Sequence, residues 1–282
     1  MIFLCVKVQK RKFDPFTFFC GPCYTETRIV SWGHRNVTER IARLTELTLS
    51  GKMYVDPVKT GFEKEDRSLS KQEKESGRLC AYVLNQEPKL TEYSCMTGFF
   101  NFDGSVVGDA FRRQGHVATQ KTIRLFHLKP IDNLSTMEWQ HATADYTKVL
   151  NKGIRGILSD IDESLRIHTD PEQVEFLRAL KRVATALISW AHKCSERALA
   201  FSETVESEEY RNNLKKLSEA LLRVPENAPE TFYEALLCIY VCFSADPDSV
   251  GTLDRYLYPF YERDLKNGAL TREQAKEYLQ EL

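Results

Sequence analysis

The chain has 282 residues, 42% of them hydrophobic and 28% charged, with a formal net charge of −1. That length provides core enough for one large domain or two small ones, and near-neutrality excludes a global field suited to nucleic acid or an anionic membrane. No apolar run approaches the roughly 20 residues that a membrane-spanning helix needs. The opening MIFLCV is short and is followed by Lys7, Lys10, Arg11 and Lys12. A signal peptide has the opposite order of charge and apolar run, so a cytoplasmic location is expected. Eight cysteines are more than usual, but a chain this long does not need disulfide staples. Cys80, Cys95, Cys194, Cys238 and Cys242 sit in helical or apolar surroundings and are expected to be free thiols that pack as small hydrophobes.

Residues 1–35 are rich in aromatics and cysteine and show neither a helical nor a strand period. From Asn36 the chain becomes regular. Asn36 and Glu39 have capping-box spacing, which predicts a helix ending near Gly51 with Ile41, Leu44, Leu47 and Leu49 along its apolar stripe. Residues 52–70 read as charged loop, and a helix over Ser70–Leu84 is expected to be interrupted at Gly77. Between Tyr93 and His116, Gly98, Gly104, Gly108 and Gly115 alternate with Phe99, Phe100 and Phe102. That spacing predicts turns and short extended pieces. It is not a P-loop, because no lysine with a following serine or threonine stands at the required positions.

Beyond Pro130 the pattern is almost wholly helical. Ser135 and Glu138 form another capping-box pair. Asp170 and Pro171 supply a cap and a first-turn proline for a long helix with Val174, Leu177, Leu180, Ala184, Leu187 and Ala191 on one face. Further helices are predicted over about 208–222, over Phe232–Phe243 and over Thr252–Lys266, the last stopped by Asn267-Gly268. Thr271 and Gln274 open a final helix that runs to Leu282 without a stop signal, as expected of a chain that continues elsewhere.

Three groups of residues bear on chemistry. Cys20-Gly21-Pro22-Cys23 has the spacing of a dithiol redox motif, whose first thiol is activated at a helix N-terminus. Here Tyr24-Thr25-Glu26-Thr27 and the β-branched Ile29-Val30 make a poor helix start, which favours a surface loop. His141 and Asp145 are four residues apart, so on a single helix they share a face and can carry a proton or bind a hydroxyl. The same spacing serves a histidine that satisfies buried polar groups between helices. Asp254, Tyr256, Tyr258, Tyr261, Glu262 and Asp264 crowd one short stretch; tyrosines at that density pack helix against helix.

Three passages together resemble a known family. They are His141-Ala-Thr-Ala-Asp145-Tyr146 through Gly153-Ile-Arg-Gly156-Ile157, then Val224-Pro225 with Ala228-Pro229 through Phe232-Tyr-Glu234-Ala235-Leu236, then Leu253-Asp254 through Asp264-Leu265 with Gly268, Leu270 and Thr271. In that order they are similar to the glycyl radical enzymes of the pyruvate formate-lyase type, best over 134–282 and more loosely over 36–133. The division that follows is an unmatched segment 1–35 and a partial domain 36–282.

The resemblance implies an α/β fold, a ten-stranded barrel wrapped by helices, of which this chain forms the mostly helical N-terminal part. It implies radical cleavage of a bond in a small-molecule substrate. A glycyl radical, installed by a separate radical-SAM activating enzyme, passes to a cysteine whose thiyl radical abstracts hydrogen. The family's cysteine loop and glycyl motif have no counterpart here, and Cys238 and Cys242 lack the glycine before and glutamate after. No catalytic or metal-binding residue is therefore expected within the chain. His141 stands where some dehydrating members bind substrate, with Asp145 and Tyr146 as neighbours. The expectation is an N-terminal part that is inactive alone, prone to association through open strand edges, and paired with a C-terminal half or a second subunit. The alternatives are a non-catalytic helical interaction module, or a thiol redox protein using Cys20 and Cys23.

Overall fold

A computed structural model of the chain describes residues 37–50, 52, 68–96, 144–245 and 250–282. All of them fall within one unit, Val37–Leu282. They form eight helices: α1 Glu39–Leu49, α2 Lys71–Asn85, α3 Tyr146–Ile167, α4 Pro171–Ser202, α5 Glu208–Arg223, α6 Phe232–Ala245, α7 Leu253–Lys266 and α8 Arg272–Glu281. Among the described residues there is no strand, so of the expected barrel only helical structure is on view. Most of the glycine-rich stretch read as extended pieces lies outside the described residues, as do Cys20, Cys23, Ser135, Glu138 and His141.

The helix ends follow local chemistry with two corrections. Ser70 with Glu73 and Thr271 with Gln274 close complete capping boxes on α2 and α8. Asp170 accepts from the Glu172 and Gln173 amides ahead of Pro171. For α1 the cap is Thr38, not Asn36: its extended backbone brings Oγ1 to the Ile41 amide, and Glu39 becomes the first helical residue. Gly77 does not interrupt α2. The helix runs through it, and the roughly 1 kcal/mol that a helical glycine costs is outweighed by packing of α2 along α4.

Helix α4 is the spine. Its 32 residues extend for about 48 Å, and α2, α3, α5 and α6 all pack on it. The stripe buried along it includes Ala179, Ala186, Ala191, Cys194 and Ala198, with Trp190 the one large member. Small side chains let α5 approach closely, and there the Ser195 hydroxyl bonds the Ser218 carbonyl at 2.8 Å.

Helix α6 is the centre. Ala235, Leu236, Leu237, Cys238, Ile239 and Val241 are all fully buried, at about 1.5–3 kcal/mol for each large aliphatic side chain. A helix apolar all round needs cover on every side, and α3, α4, α5, α7 and α8 supply it. The five cysteines named above are free thiols, Cys95, Cys194 and Cys238 buried and Cys80 and Cys242 half-buried.

Candidate functional site

The three passages picked out in the sequence are in contact, and Gly153 is where the first locks to the second. Helix α3 breaks at Gly153, whose φ of 65 and ψ of 175 lie outside the helix. The break frees the amides of Ile154 and Arg155, which donate to the carbonyls of Pro225 and Glu226 at 2.8 and 2.9 Å. A Cβ on Gly153 would lie 2.5 Å from the Asn227 carbonyl carbon and from the Glu226 oxygen. Only glycine satisfies both the backbone angle and the approach. The Arg155 guanidinium then pairs with the Glu226 carboxylate, and His192 of α4 places Nε2 3.0 Å from the other oxygen. The Val224-Pro225 bond inside this turn is cis.

The second contact joins the middle passage to the last. The N-terminus of α6 leaves backbone donors unpaired, as every helix start does. Thr231 Oγ1 accepts from the Glu234 amide at 3.1 Å. The Phe232 amide is served from α7, where the buried Asp264 carboxylate accepts at 2.6 Å. Arg263 Nε donates to the same carboxylate at 3.0 Å. The Phe232 and Tyr261 rings meet edge-on at 5.9 Å between centroids, and Tyr146 meets Tyr256 edge-on at 5.8 Å. The tyrosines of the last passage thus pack as the sequence suggested, with Tyr258 the exposed exception.

The residues expected near substrate fall as follows. Asp145 is the N-cap of α3, its carboxylate accepting from the Lys148 amide at 3.3 Å. Helix α3 begins at Tyr146, so Asp145 precedes it, and His141 lies outside the described residues. Tyr146 is 1% exposed and belongs to the core. Together the Asp145 cap and the Tyr146–Tyr256 contact fix the start of α3, shortly after His141 in the chain.

Sequence reasoning missed a buried ion cluster between α1 and α8. Arg40 of α1 donates from Nε to Glu277 at 2.8 Å and from Nη1 to Glu281 at 2.5 Å. Glu281 also accepts from the Cys95 and Met96 amides. Burial pushes the Glu281 carboxyl above its usual range, against the pull of Arg40 and the two amides. The only sequence signal was a pair of glutamates at helical spacing on an otherwise ordinary amphipathic helix.

Cys80, Cys95, Cys194 and Cys238 are not prepared for nucleophilic work. Burial raises Cys80, Cys95 and Cys194, while contact with Cys242 and then burial raise Cys238. A reactive thiol needs the opposite shift. Among the described residues no three His, Cys, Asp or Glu side chains gather as metal ligands. The junction can orient a chain segment and bury a carboxylate.

A family model described as pyruvate formate lyase-like matches residues 108–282. Isethionate sulfite-lyase of Oleidesulfovibrio alaskensis is 31% identical over 161 residues, which is 52% of this chain and 19% of that protein. A solved structure concerned with 1,2-propanediol dehydration in Roseburia inulinivorans superposes with a TM-score of 0.68 at 20% identity, covering 86% of this chain and 38% of that one. A glycyl radical enzyme from Archaeoglobus fulgidus superposes with a TM-score of 0.59 at 19% identity, over 86% and 37%. The likeness to both structures is one of fold. The chain spans about a fifth of the length of the curated relatives it matches.

Proposed function

The chain belongs to the pyruvate formate lyase-like family, and on that premise we propose that it is the helical N-terminal part of a glycyl radical lyase or dehydratase acting on a small metabolite. In this reading the 282 residues supply scaffold, and the thiyl and glycyl segments come from sequence that complements them. A separate radical-SAM enzyme installs the radical on that complementing sequence. His141 is the residue proposed to contact substrate, with Asp145 and Tyr146 holding the turn that presents it. Alone, the chain is inactive.

One observation carries the proposal. Gly153, Pro225–Asn227, Phe232 and Asp264 come from three separate passages, and they interlock within the family-matched region. An interlock of this kind is a fold-level property, and it bears on the scaffold and its reaction class.

The test is anaerobic reconstitution of the full chain with a C-terminal portion of a relative and its activating enzyme. The expected result is a glycyl radical signal and turnover of a small hydroxylated substrate, both absent from the chain alone. Turnover by the chain alone, or a folded reconstituted complex that never acquires a radical, would overturn it.

A second reading is a non-catalytic helical interaction module. It is favoured by the closure of Val37–Leu282 on itself, since α1 and α8 are joined through Arg40, Glu277 and Glu281. Limited proteolysis that leaves an intact 37–282 product, from a chain that no complementing sequence binds, supports this reading over the first.

A further inference from the structure

The buried cluster between α1 and α8 has the geometry of an anion site that is already filled. The Glu281 carboxylate accepts from two consecutive amides, Cys95 at 2.8 Å and Met96 at 2.9 Å, and from Arg40 Nη1 at 2.5 Å. Successive backbone N–H groups with a guanidinium beside them form a concavity that selects an oxyanion. The receiving surface is held in place without α8. Arg40 Nη1 donates to the Tyr93 carbonyl at 2.6 Å, and the Tyr233 hydroxyl donates to the Cys95 carbonyl at 2.6 Å. The Cys95 peptide is thus gripped on its carbonyl side by α6 and on its amide side by Glu281. A further donor, Arg40 Nη2, is buried in the cluster and has no hydrogen-bond partner among the described residues. The site offers more donors than one side chain takes up.

We propose that Arg40 and the Cys95–Met96 amides form a carboxylate-binding socket, and that Glu281 is its tethered ligand. Docking of α8 as a strap across α1 and residues 93–96 is then a binding event, with the helix as the covalent link to the carboxylate. The ligand class follows from the donors: a small planar carboxylate, received by one guanidinium edge and two amides. An empty socket leaves the buried guanidinium with Glu277 as its one remaining carboxylate partner among the described residues and leaves Arg40 Nη2 and the Cys95 and Met96 amides short of an acceptor, which is disfavoured. The socket therefore recruits an anion whenever Glu281 is removed.

The test uses Glu281→Ala in the full chain, which excises the atoms of an acetate ion. The variant is expected to melt roughly 5–10 °C lower and to lose hydrogen-exchange protection at the Cys95 and Met96 amides. Sodium acetate should restore both saturably, as binding to the folded state requires, while sodium chloride at equal ionic strength should not. The gain from acetate should vanish in Arg40→Met/Glu281→Ala. If Glu281→Ala does not fold, refolding it in acetate and in chloride decides the matter: recovery in acetate alone supports the socket, and failure in both overturns it. An unchanged melting temperature, equal effects of the two salts, or acetate rescue that persists without Arg40 also overturns it.

Discussion

The Asp264 carboxylate on α7 lies 2.6 Å from the Phe232 amide and caps the start of α6 from a helix that comes later in the chain. Local capping takes a side chain one or two positions ahead of the helix; here the acceptor arrives from 32 residues downstream. The central helix and the helix behind it are therefore coupled through one buried carboxylate, which also favours the positive end of the α6 dipole.

Replacing that carboxylate separates cap from charge. Asp264→Ala leaves the Phe232 amide unpaired in the interior and should lower unfolding free energy by about 1–3 kcal/mol. Asp264→Asn keeps an oxygen acceptor and should lose less. Urea denaturation of both variants checks the order. Equal losses would mean that the hydrogen bond to Phe232 contributes little.

Two positive-φ glycines make a controlled comparison. Gly268 has a φ of +75, and a methyl group placed on it would meet nothing within 4 Å, whereas Gly153, at +65, faces the Asn227 backbone at 2.5 Å. Gly268→Ala should cost only the strain of its backbone angle, about 1 kcal/mol. Gly153→Ala adds a clash with backbone that cannot step aside and should cost at least roughly 3 kcal/mol. Thermal melts of the two variants distinguish them, and similar losses would argue against close docking of α3 on the 224–227 turn.

The same pair explains what could be read in the sequence and what could not. The Asp170 and Thr271 caps were legible because donor and acceptor lie within three residues. Cysteine burial and tyrosine packing were legible because they follow from apolar surroundings. The break at Gly153 was not, since nothing near it in sequence ends a helix; its cause is the turn at 225–227, supplied from far along the chain. Arg40 and Glu281 are separated by 241 positions, and a lone arginine in a first helical turn reads as surface. The Asn36 cap failed for a smaller reason. Thr38, two residues further on, has the extended backbone that brings its hydroxyl to the Ile41 amide.

Acidification should loosen α2 from its N-terminus. The Glu73 carboxyl is held below its usual value, first by the Ser70 amide and then by the Ser70 hydroxyl. A group whose folded pKa is depressed contributes stability above its unfolded pKa and loses it as pH falls through the folded value. Hydrogen exchange at the first-turn amides of α2 should therefore quicken as the solution passes below the ordinary glutamate range. In Glu73→Gln that added dependence should be gone. A Gln variant that keeps the same acid profile would place the titration elsewhere.

The proposed substrate contact predicts a division of labour between neighbours. Asp145 caps α3 through the Lys148 amide, so Asp145→Ala should lower stability by about 1 kcal/mol. Any loss of turnover in that variant should follow the misplaced turn and be partly recovered by Asp145→Ser, another capping residue. His141 lies upstream of the cap. If it binds a substrate hydroxyl, His141→Ala should leave the melting temperature within about 1 °C, since a side chain reserved for a ligand adds little to the core. In the reconstituted complex kcat/KM should then drop about 10–100-fold, the worth of one hydrogen bond to a charged or polar partner. A stability loss in His141→Ala equal to that of Asp145→Ala, with kcat/KM per folded molecule unchanged, would return this histidine to a structural role.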